Sequence, residues 1–167
     1  GKPGVDRSDA PVVVAGISDA VAIAAGRAHT CALKKDGSVA CWGAGTNGKP
    51  GSVSKRPVAI PDLKEVVAVG AGGDDTCALE RSGNIVCWGA AGKGQLGTGA
   101  LDDTSPRDKK QSAVSNGVSL AVGPLHACAL VATGQVSCWG DDHVGALGFP
   151  GHATGHETSC ATTPDFV

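Results

Sequence analysis

Six of the seven cysteines form three pairs, and in each pair the second cysteine follows ten residues after the first. The pairs are Cys31–Cys41, Cys77–Cys87 and Cys128–Cys138. Cysteines at such spacing have three chemical uses, as disulfide bonds, as metal ligands or as small buried thiols. A structural zinc ion takes four ligands and each pair supplies two, so zinc is the weakest of these interpretations. Pairing in all three copies favours disulfides, because alanine or valine would fill a core equally well.

A glycine lies six residues after the first cysteine of each pair, and it predicts the turn of a β-hairpin. These glycines are Gly37, Gly83 and Gly134. A three-residue loop that ends in a left-handed glycine is a common hairpin connection. Counting back from the loop at residues 35–37 places Cys31 opposite Cys41 at a non-hydrogen-bonded position, where neighbouring side chains are closest. A cross-strand disulfide fits there, and each short loop that it closes adds about 2–3 kcal/mol.

Three disulfides predict an oxidising compartment, so we expect the protein to be secreted or exposed at a cell surface. Cys160 is the seventh cysteine and has no partner in this pattern. We expect it to pair with another chain or with further sequence, and a free thiol is the alternative. No apolar run approaches the roughly 20 residues of a membrane-spanning helix, so no membrane span is expected.

Histidine and aspartate side chains are further candidates for catalytic groups. His29 and His126 occupy one repeated position, where a hydrogen bond to a neighbouring backbone is expected rather than general-base chemistry. Two adjacent acidic pairs lie in predicted turns and are expected to be solvated; they are Asp74–Asp75 and Asp102–Asp103. The sequence therefore predicts no catalytic residue and no bound cofactor.

The C-terminal segment carries a second possible metal pattern. His152, His156 and Cys160 are spaced by four residues, which would align metal ligands along a helix. Pro150, Gly151 and Gly155 argue against a helix there. No metal site is expected.

The elements that carry the cysteines follow one frame in all three copies. A short apolar run ends at glycine, a second strand carries the first cysteine, and a third strand ends in Cys-Trp-Gly. The tryptophans are Trp42, Trp88 and Trp139. One position in every repeat suits packing between repeats, and an aromatic platform for sugars or bases is the alternative.

The frame Ala-Gly-x-x-His-Thr-x-Ala-Leu, followed by Asp-Gly-x-Val, Trp-Gly and Gly-Gln-Leu-Gly, resembles the repeat of the regulator of chromosome condensation family. The residues that match are Ala25-Gly26, His29-Thr30, Ala32-Leu33, Asp36-Gly37, Val39, Trp42-Gly43 and Gly94–Gly97. The resemblance implies an all-β fold, a β-propeller of four-stranded antiparallel blades that usually number seven. The cysteine-bearing version is similar to secreted and surface proteins of bacteria. Asp75 replaces the repeat histidine and Pro124 interrupts the third copy.

The repeats divide the chain into four predicted units. Residues 1–20 are the tail of a preceding repeat, 21–66 are repeat 1, 67–117 are repeat 2, and 118–167 are repeat 3 with an irregular tail. About three blades are therefore expected, as part of a larger ring. Further blades of a parent chain, or a second copy of this chain, would complete that ring.

The composition argues against a nucleic-acid-binding protein. The net charge of −2 gives no basic surface for nucleic acid. The long connection at residues 99–117 is a candidate contact region. We expect a non-catalytic extracellular or surface scaffold that binds a protein or a glycan through its blade loops. A self-assembling structural subunit is one alternative, and a propeller enzyme acting on polysaccharide is a weaker one.

Overall fold

The computed structural model describes residues 8–45, 52–63, 65–99, 114–148 and 160–161. Within these ranges the secondary structure consists of β-strands: β1 Ala20–Ala25, β2 His29–Lys34, β3 Val39–Ala44, β4 Val53–Ile60, β5 Val66–Ala71, β6 Asp75–Glu80, β7 Ile85–Gly89, β8 Gly117–Val122, β9 His126–Val131, β10 Val136–Gly140 and β11 Cys160–Ala161. They form three antiparallel sheets: β1–β4 is blade 1, β5–β7 is blade 2, and β8–β11 is blade 3. The prediction of an all-β chain with antiparallel blades is confirmed. The long connection predicted at residues 99–117 lies largely outside the described residues, as does the whole of residues 1–7.

The central hairpin of each blade has the predicted register. Cys31 lies opposite Cys41, and the corresponding pairs of blades 2 and 3 are also directly opposed. The structure joins each pair by a disulfide, with Cα atoms 4.1, 4.1 and 4.0 Å apart in chain order. The hairpin glycines have φ angles of 81°, 86° and 89°, which residues with a β-carbon rarely adopt. The local turn therefore determines which residues face each other across the hairpin.

Side chains alternate between two faces of each blade, and each face has its own composition. The face towards the following blade carries the disulfide with leucine and a β-branched residue, whereas the face towards the preceding blade carries alanine and tryptophan. Leu33 and Val39 of blade 1 thus share a core with Trp88 of blade 2; this is the first interface. Leu79 of blade 2 shares the corresponding core with Trp139 of blade 3; this is the second interface.

Main-chain hydrogen bonds close each interface at both of its ends. At one end of the first interface the Arg27 N–H donates to the Gly73 carbonyl at 2.9 Å, and at the other end Val66 N–H donates to Gly37 at 3.1 Å. The second interface repeats the pattern, with Gly73 N–H to Pro124 at 3.1 Å and Gly117 N–H to Gly83 at 2.9 Å. The blades therefore approach each other closely. A β-carbon on Gly72 would collide with the Gly123 carbonyl, so glycine is needed there.

The three blades form a row, and among the described residues the face at each end of the row is exposed to solvent. Leu130 and Val136 of blade 3 are 38% and 51% exposed, whereas the equivalent Leu79 and Ile85 of blade 2 are buried. On the opposite side, Ile23 of blade 1 is 72% exposed. The burial of a repeat position thus depends on whether a neighbouring blade covers it.

Candidate functional site

Loops from all three blades lie side by side along one edge of the molecule. The loops between the first and second strands of the blades are residues 26–28, 72–74 and 123–125, and the main-chain bonds of Arg27 and Gly73 link them in order. The loops that follow the third strands of blades 2 and 3, at residues 90–99 and 141–148, lie at the same end. We call these five segments the upper rim. The hairpin loops at residues 35–37, 81–83 and 132–134 form the opposite, lower side.

The loops that follow the third strands are fixed to the blades by hydrogen bonds. The Ala90 N–H donates to the Asp74 carbonyl at 3.0 Å, and the Asp141 N–H donates to the Leu125 carbonyl at 2.9 Å. In addition, the indole N–H of Trp139 donates to the Gln95 carbonyl at 2.7 Å, across the second interface. Tertiary contacts therefore hold the loops of the upper rim in place, and rigid loops lose little entropy when they bind a partner.

The exposed chemistry of the upper rim is mixed. Arg27, 73% exposed at its side chain, forms an ion pair with Asp74 of the next blade. Leu125 and Val144 add exposed apolar surface, and Val144 is 76% exposed. The rim thus presents charged and apolar groups together.

A smaller polar cluster lies between the two long loops of the rim. The His143 N–H donates to the Asp141 carboxylate at 3.1 Å, and this hydrogen bond is the main cause that lowers the pKa of Asp141. The imidazole Nδ1 of His143 is 3.1 Å from the same carboxylate, and Lys93 Nζ from the preceding loop lies 3.9 Å from it. The cluster joins the loops of blades 2 and 3.

His29 forms a buried bridge between blades rather than the predicted hydrogen bond to a backbone. Its Nε2 lies 2.7 Å from Oγ1 of Thr76, the residue next to the repeat position on the following blade. Burial lowers the pKa of His29, and the nearby carboxylate of Asp74 opposes this shift in part. The imidazole is therefore neutral at pH 7 and serves the interface. His126 is half-buried at the same position of blade 3.

The expectation that Asp74 and Asp75 are both solvated is wrong for Asp75. Asp74 is exposed and pairs with Arg27, but Asp75 is fully buried at the start of β6. Neither carboxylate oxygen of Asp75 has a hydrogen-bond partner. Sequence reasoning treated the two residues as one turn. The replacement of the repeat histidine by Asp75 carried the signal of burial, because that repeat position lies at the start of a strand between two blades.

Two of the three tryptophans, Trp88 and Trp139, pack between blades, as predicted. Trp88 and Trp139 are buried in the first and second interfaces, and Trp42 of blade 1 is half-buried. The described residues thus include no fully exposed tryptophan on which a sugar ring or a base would stack.

The remaining predicted site residues lie apart from the rim chemistry. In register, Cys160 of β11 is opposite Cys138 of β10, so the seventh cysteine lies on the strand beside the third disulfide. His152 and His156 lie outside the described residues, as do Asp102 and Asp103. Among the residues that the structure describes, no three histidine, cysteine or acidic side chains are grouped to hold a metal ion. No helix in the described ranges has the length and hydropathy needed to cross a membrane.

Comparison with known proteins identifies the repeat. The sequence model of the protein family named regulator of chromosome condensation (RCC1) repeat matches residues 20–49 and 118–146. These ranges include β1–β3 of blade 1 and β8–β10 of blade 3. No curated protein matches the chain.

Solved structures show the same fold. Prp20p from Saccharomyces cerevisiae is 22% identical, with a TM-score of 0.71 over 87% of this chain and 37% of that chain. Human WBSCR16 is 24% identical, with a TM-score of 0.64 over 72% of this chain and 33% of that chain. Yeast RCC1 bound to Kap60 is 21% identical, with a TM-score of 0.65 over 86% of this chain and 36% of that chain.

This chain spans about a third of the length of each of these relatives. Three observations indicate the same kind of repeat: the disulfide-bonded hairpins, the hydrogen-bonded interfaces between blades, and the ranges that the family model matches. The matched ranges are RCC1-type repeats, and the chain has the fold of part of a β-propeller of that type.

Proposed function

We propose that this chain is a non-catalytic, extracellular scaffold that holds a partner protein on its upper rim. The observation that carries the proposal is the rim itself, a row of loops from three blades that hydrogen bonds hold in place. Its exposed side chains combine an ion pair with apolar groups, which is the usual composition of a protein-binding surface. The fold supports the proposal, because propellers of this type act as binding or exchange-factor scaffolds.

A protein partner fits the rim better than a glycan. Sugar rings are commonly bound against exposed aromatic faces, and the tryptophans of the described residues are buried or half-buried. Two proteins of similar fold have protein partners: Prp20p binds Gsp1p and histones, and yeast RCC1 is bound to Kap60. A glycan is the alternative partner.

The proposed compartment follows from the disulfides. Three cross-strand disulfides persist in an oxidising environment, such as the outside of a cell, and the resemblance to cysteine-bearing bacterial repeats suggests a bacterial surface or secreted protein. The check is the intact mass of native protein alkylated without reductant. We expect Cys160 alone to be alkylated or joined to a partner. Alkylation of all seven cysteines would remove the argument for an extracellular location.

A site-specific cross-linking experiment tests the binding surface. The photoreactive residue p-benzoylphenylalanine replaces Val144 on the upper rim, or Thr133 on the lower hairpin of the same blade as the matched control. Both positions are exposed, so either can react with a bound protein. Exposed to the secreted and surface proteins of its source, the Val144 variant should form a defined adduct that the Thr133 variant does not. Equal adducts from both, or adducts from Thr133 alone, would contradict the rim proposal.

Charge reversal then tests the same surface on the identified partner. Arg27→Glu breaks the ion pair on the upper rim, and Arg81→Glu breaks the pair of Arg81 with Glu65 on the lower side, where Nε and Oε2 are 3.7 Å apart. The two arginine side chains are similarly exposed, which makes the second variant a matched control. The proposal predicts weaker binding by the Arg27 variant alone. Equal loss in both variants would point to a non-specific charge effect.

The open outer faces support a second candidate, a self-assembling subunit. The exposed Leu130 and Val136 of blade 3 correspond to residues that blade 2 buries against its neighbour. A further repeat of a longer chain, or blade 1 of a second copy, would cover them in the same way. Sedimentation of this 167-residue chain over a range of concentrations is the test. A dimer that Leu130→Asp abolishes would support self-assembly, and a monomer at all concentrations would oppose it.

A further inference from the structure

Asp75 is a buried acidic side chain that the proposed binding function does not use. It is fully buried, and neither of its oxygens has a hydrogen-bond partner. A β-carbon built on Gly72 would lie 3.0 and 3.2 Å from the two carboxylate oxygens and would also collide with the Gly123 carbonyl. The carboxyl group therefore lies beside Gly72, where blade 2 meets blade 3.

The first interface shows what this position normally does. There His29 lies beside Gly26 in the same way and reaches Oγ1 of Thr76 on the next blade. In the second interface both partners are changed, because Asp75 stands in place of the histidine and Ala127 in place of the threonine. A methyl group offers no hydrogen bond, so the carboxyl group of Asp75 has lost the partner that the repeat supplies.

The charged and titratable neighbours do not compensate for this loss. Asp74 precedes Asp75 in the chain, and its negative charge opposes ionisation of Asp75. The positive charge of Arg27 is paired with Asp74 and is largely in solvent. On blade 3, His126 lies against Gly123, and the Lys93–Asp141–His143 cluster belongs to the rim loops.

An ionised carboxylate without a partner is costly to bury, whereas the protonated form is tolerated. The pKa of Asp75 is accordingly raised to about 7. Burial is the main cause; interaction with its own backbone N–H opposes the shift, and the negative charge of Asp74 adds to it. The group therefore changes its charge near neutral pH.

We propose that the second interface is a pH-sensitive joint, closed while Asp75 is protonated and loosened when Asp75 ionises and water enters between blades 2 and 3. The step is a single proton transfer from the Asp75 carboxyl to solvent. The first interface lacks this device, because His29 has a hydrogen-bond partner and is neutral at pH 7. Loosening would move the rim loops of blade 3 relative to those of blade 2.

The tryptophans provide one reporter for each interface. The chain is labelled with 5-fluorotryptophan, and the ¹⁹F resonances of Trp88 and Trp139 are followed from pH 5 to pH 8.5 in the absence of any partner. We expect the Trp139 resonance to shift with a midpoint at about pH 7, because Trp139 is buried in the second interface. The Trp88 resonance, in the first interface, should not shift with that midpoint.

Two variants assign the transition. Asp75→Asn keeps the shape of the protonated carboxyl but cannot ionise, so the Trp139 transition should disappear. The double variant Asp75→His with Ala127→Thr introduces into the second interface the histidine–threonine bridge that the first interface has. Its second interface should therefore not loosen above pH 7. This variant keeps the test valid if Asp75→Asn fails to fold. A Trp139 resonance that does not change with pH, or the same transition in Asp75→Asn, would overturn the proposal. Because no partner is present, the result does not depend on whether the rim binds a protein.

Discussion

The first and second interfaces bury the same repeat positions but differ in the polar groups between them. Leu33 and Val39 in the first interface correspond to Leu79 and Ile85 in the second, and all four side chains are buried. Each set faces alanine and a buried tryptophan of the following blade. The apolar frame is thus constant, as expected if it provides most of the stabilisation.

The polar positions vary instead. The first interface has the His29–Thr76 bridge and the ion pair of Arg27 with Asp74. The corresponding pairs of the second interface are Asp75 with Ala127 and Gly73 with Leu125, and neither can form those bonds. A repeat propeller can thus change its polar contacts from one interface to the next while its apolar core stays the same.

The two interfaces consequently respond to pH in opposite directions. The pKa of Asp75 is raised in the folded state, so its contribution to stability is present at low pH and is lost as the pH rises towards about 7. The pKa of His29 is lowered, so its contribution is present above the unfolded value of 6.5 and is lost as the pH falls. Acidic solution favours the second interface, and alkaline solution favours the first.

The largest expected effect comes from the constant apolar frame. Leu79→Ala should lower the free energy of unfolding by about 2–5 kcal/mol, because it opens a cavity in the second interface. Leu130→Ala at the same position of blade 3 is the matched control and should cost about 1 kcal/mol or less, since Leu130 is already partly exposed. Urea unfolding followed by tryptophan fluorescence measures both. Equal losses would mean that Leu130 is covered in solution.

The next effect is the pH dependence of stability caused by Asp75. Between pH 4 and pH 7 the folded chain holds a proton that the unfolded chain releases, which lowers stability by about 1.4 kcal/mol per pH unit. Asp75→Asn should remove this slope, and the difference between the two proteins across the range should reach roughly 4 kcal/mol. Urea midpoints at intervals across this range measure it. Parallel pH profiles for the two proteins would show that Asp75 does not titrate in this window.

The His29–Thr76 bridge should have a smaller effect. His29→Leu leaves the Thr76 hydroxyl buried without its partner, which should cost about 1–3 kcal/mol. Removing the hydroxyl as well, in the double variant His29→Leu with Thr76→Val, should recover part of this loss because no polar group is then left unsatisfied. Thermal unfolding of the two single variants and the double variant gives the coupling. Strictly additive losses would argue against a direct bond.

The smallest effect is expected at the exposed ion pair of the first interface. Arg27→Ala should lower the unfolding free energy by less than about 1 kcal/mol, because solvent screens the charges of Arg27 and Asp74. The effect should shrink further in 1 M salt. A larger loss that salt does not change would mean that the pair is buried in solution.

Sequence reasoning predicted the local features well, because local spacing determines them. The glycine of each hairpin and the period of two along a strand were enough to place Cys31 opposite Cys41. The packing of Trp88 and Trp139 followed from their repetition. Both features are read within one repeat.

The polar contacts between blades were not predicted, because they join residues far apart in the chain, such as His29 and Thr76 at a separation of 47 positions. The partner of His29 is a hydroxyl on the next blade, and the buried state of Asp75 depends on its place between two blades. An adjacent acidic pair ordinarily suggests a solvated turn. Only the alignment of Asp75 with His29, read together with Ala127 in place of threonine, could have indicated a changed bridge.

Hydrogen exchange at two equivalent amides tests the contrast between the interfaces most directly. The Arg27 N–H crosses the first interface, and the Gly73 N–H crosses the second in the same geometry. With exchange corrected for its intrinsic pH dependence, we predict that protection of Gly73 falls as the pH rises towards about 7 and levels off above it, while that of Arg27 does not fall. As the pH is lowered, protection of the Arg27 amide should fall before that of the Gly73 amide. Protection that changes in parallel at both amides, or at neither, would contradict the account.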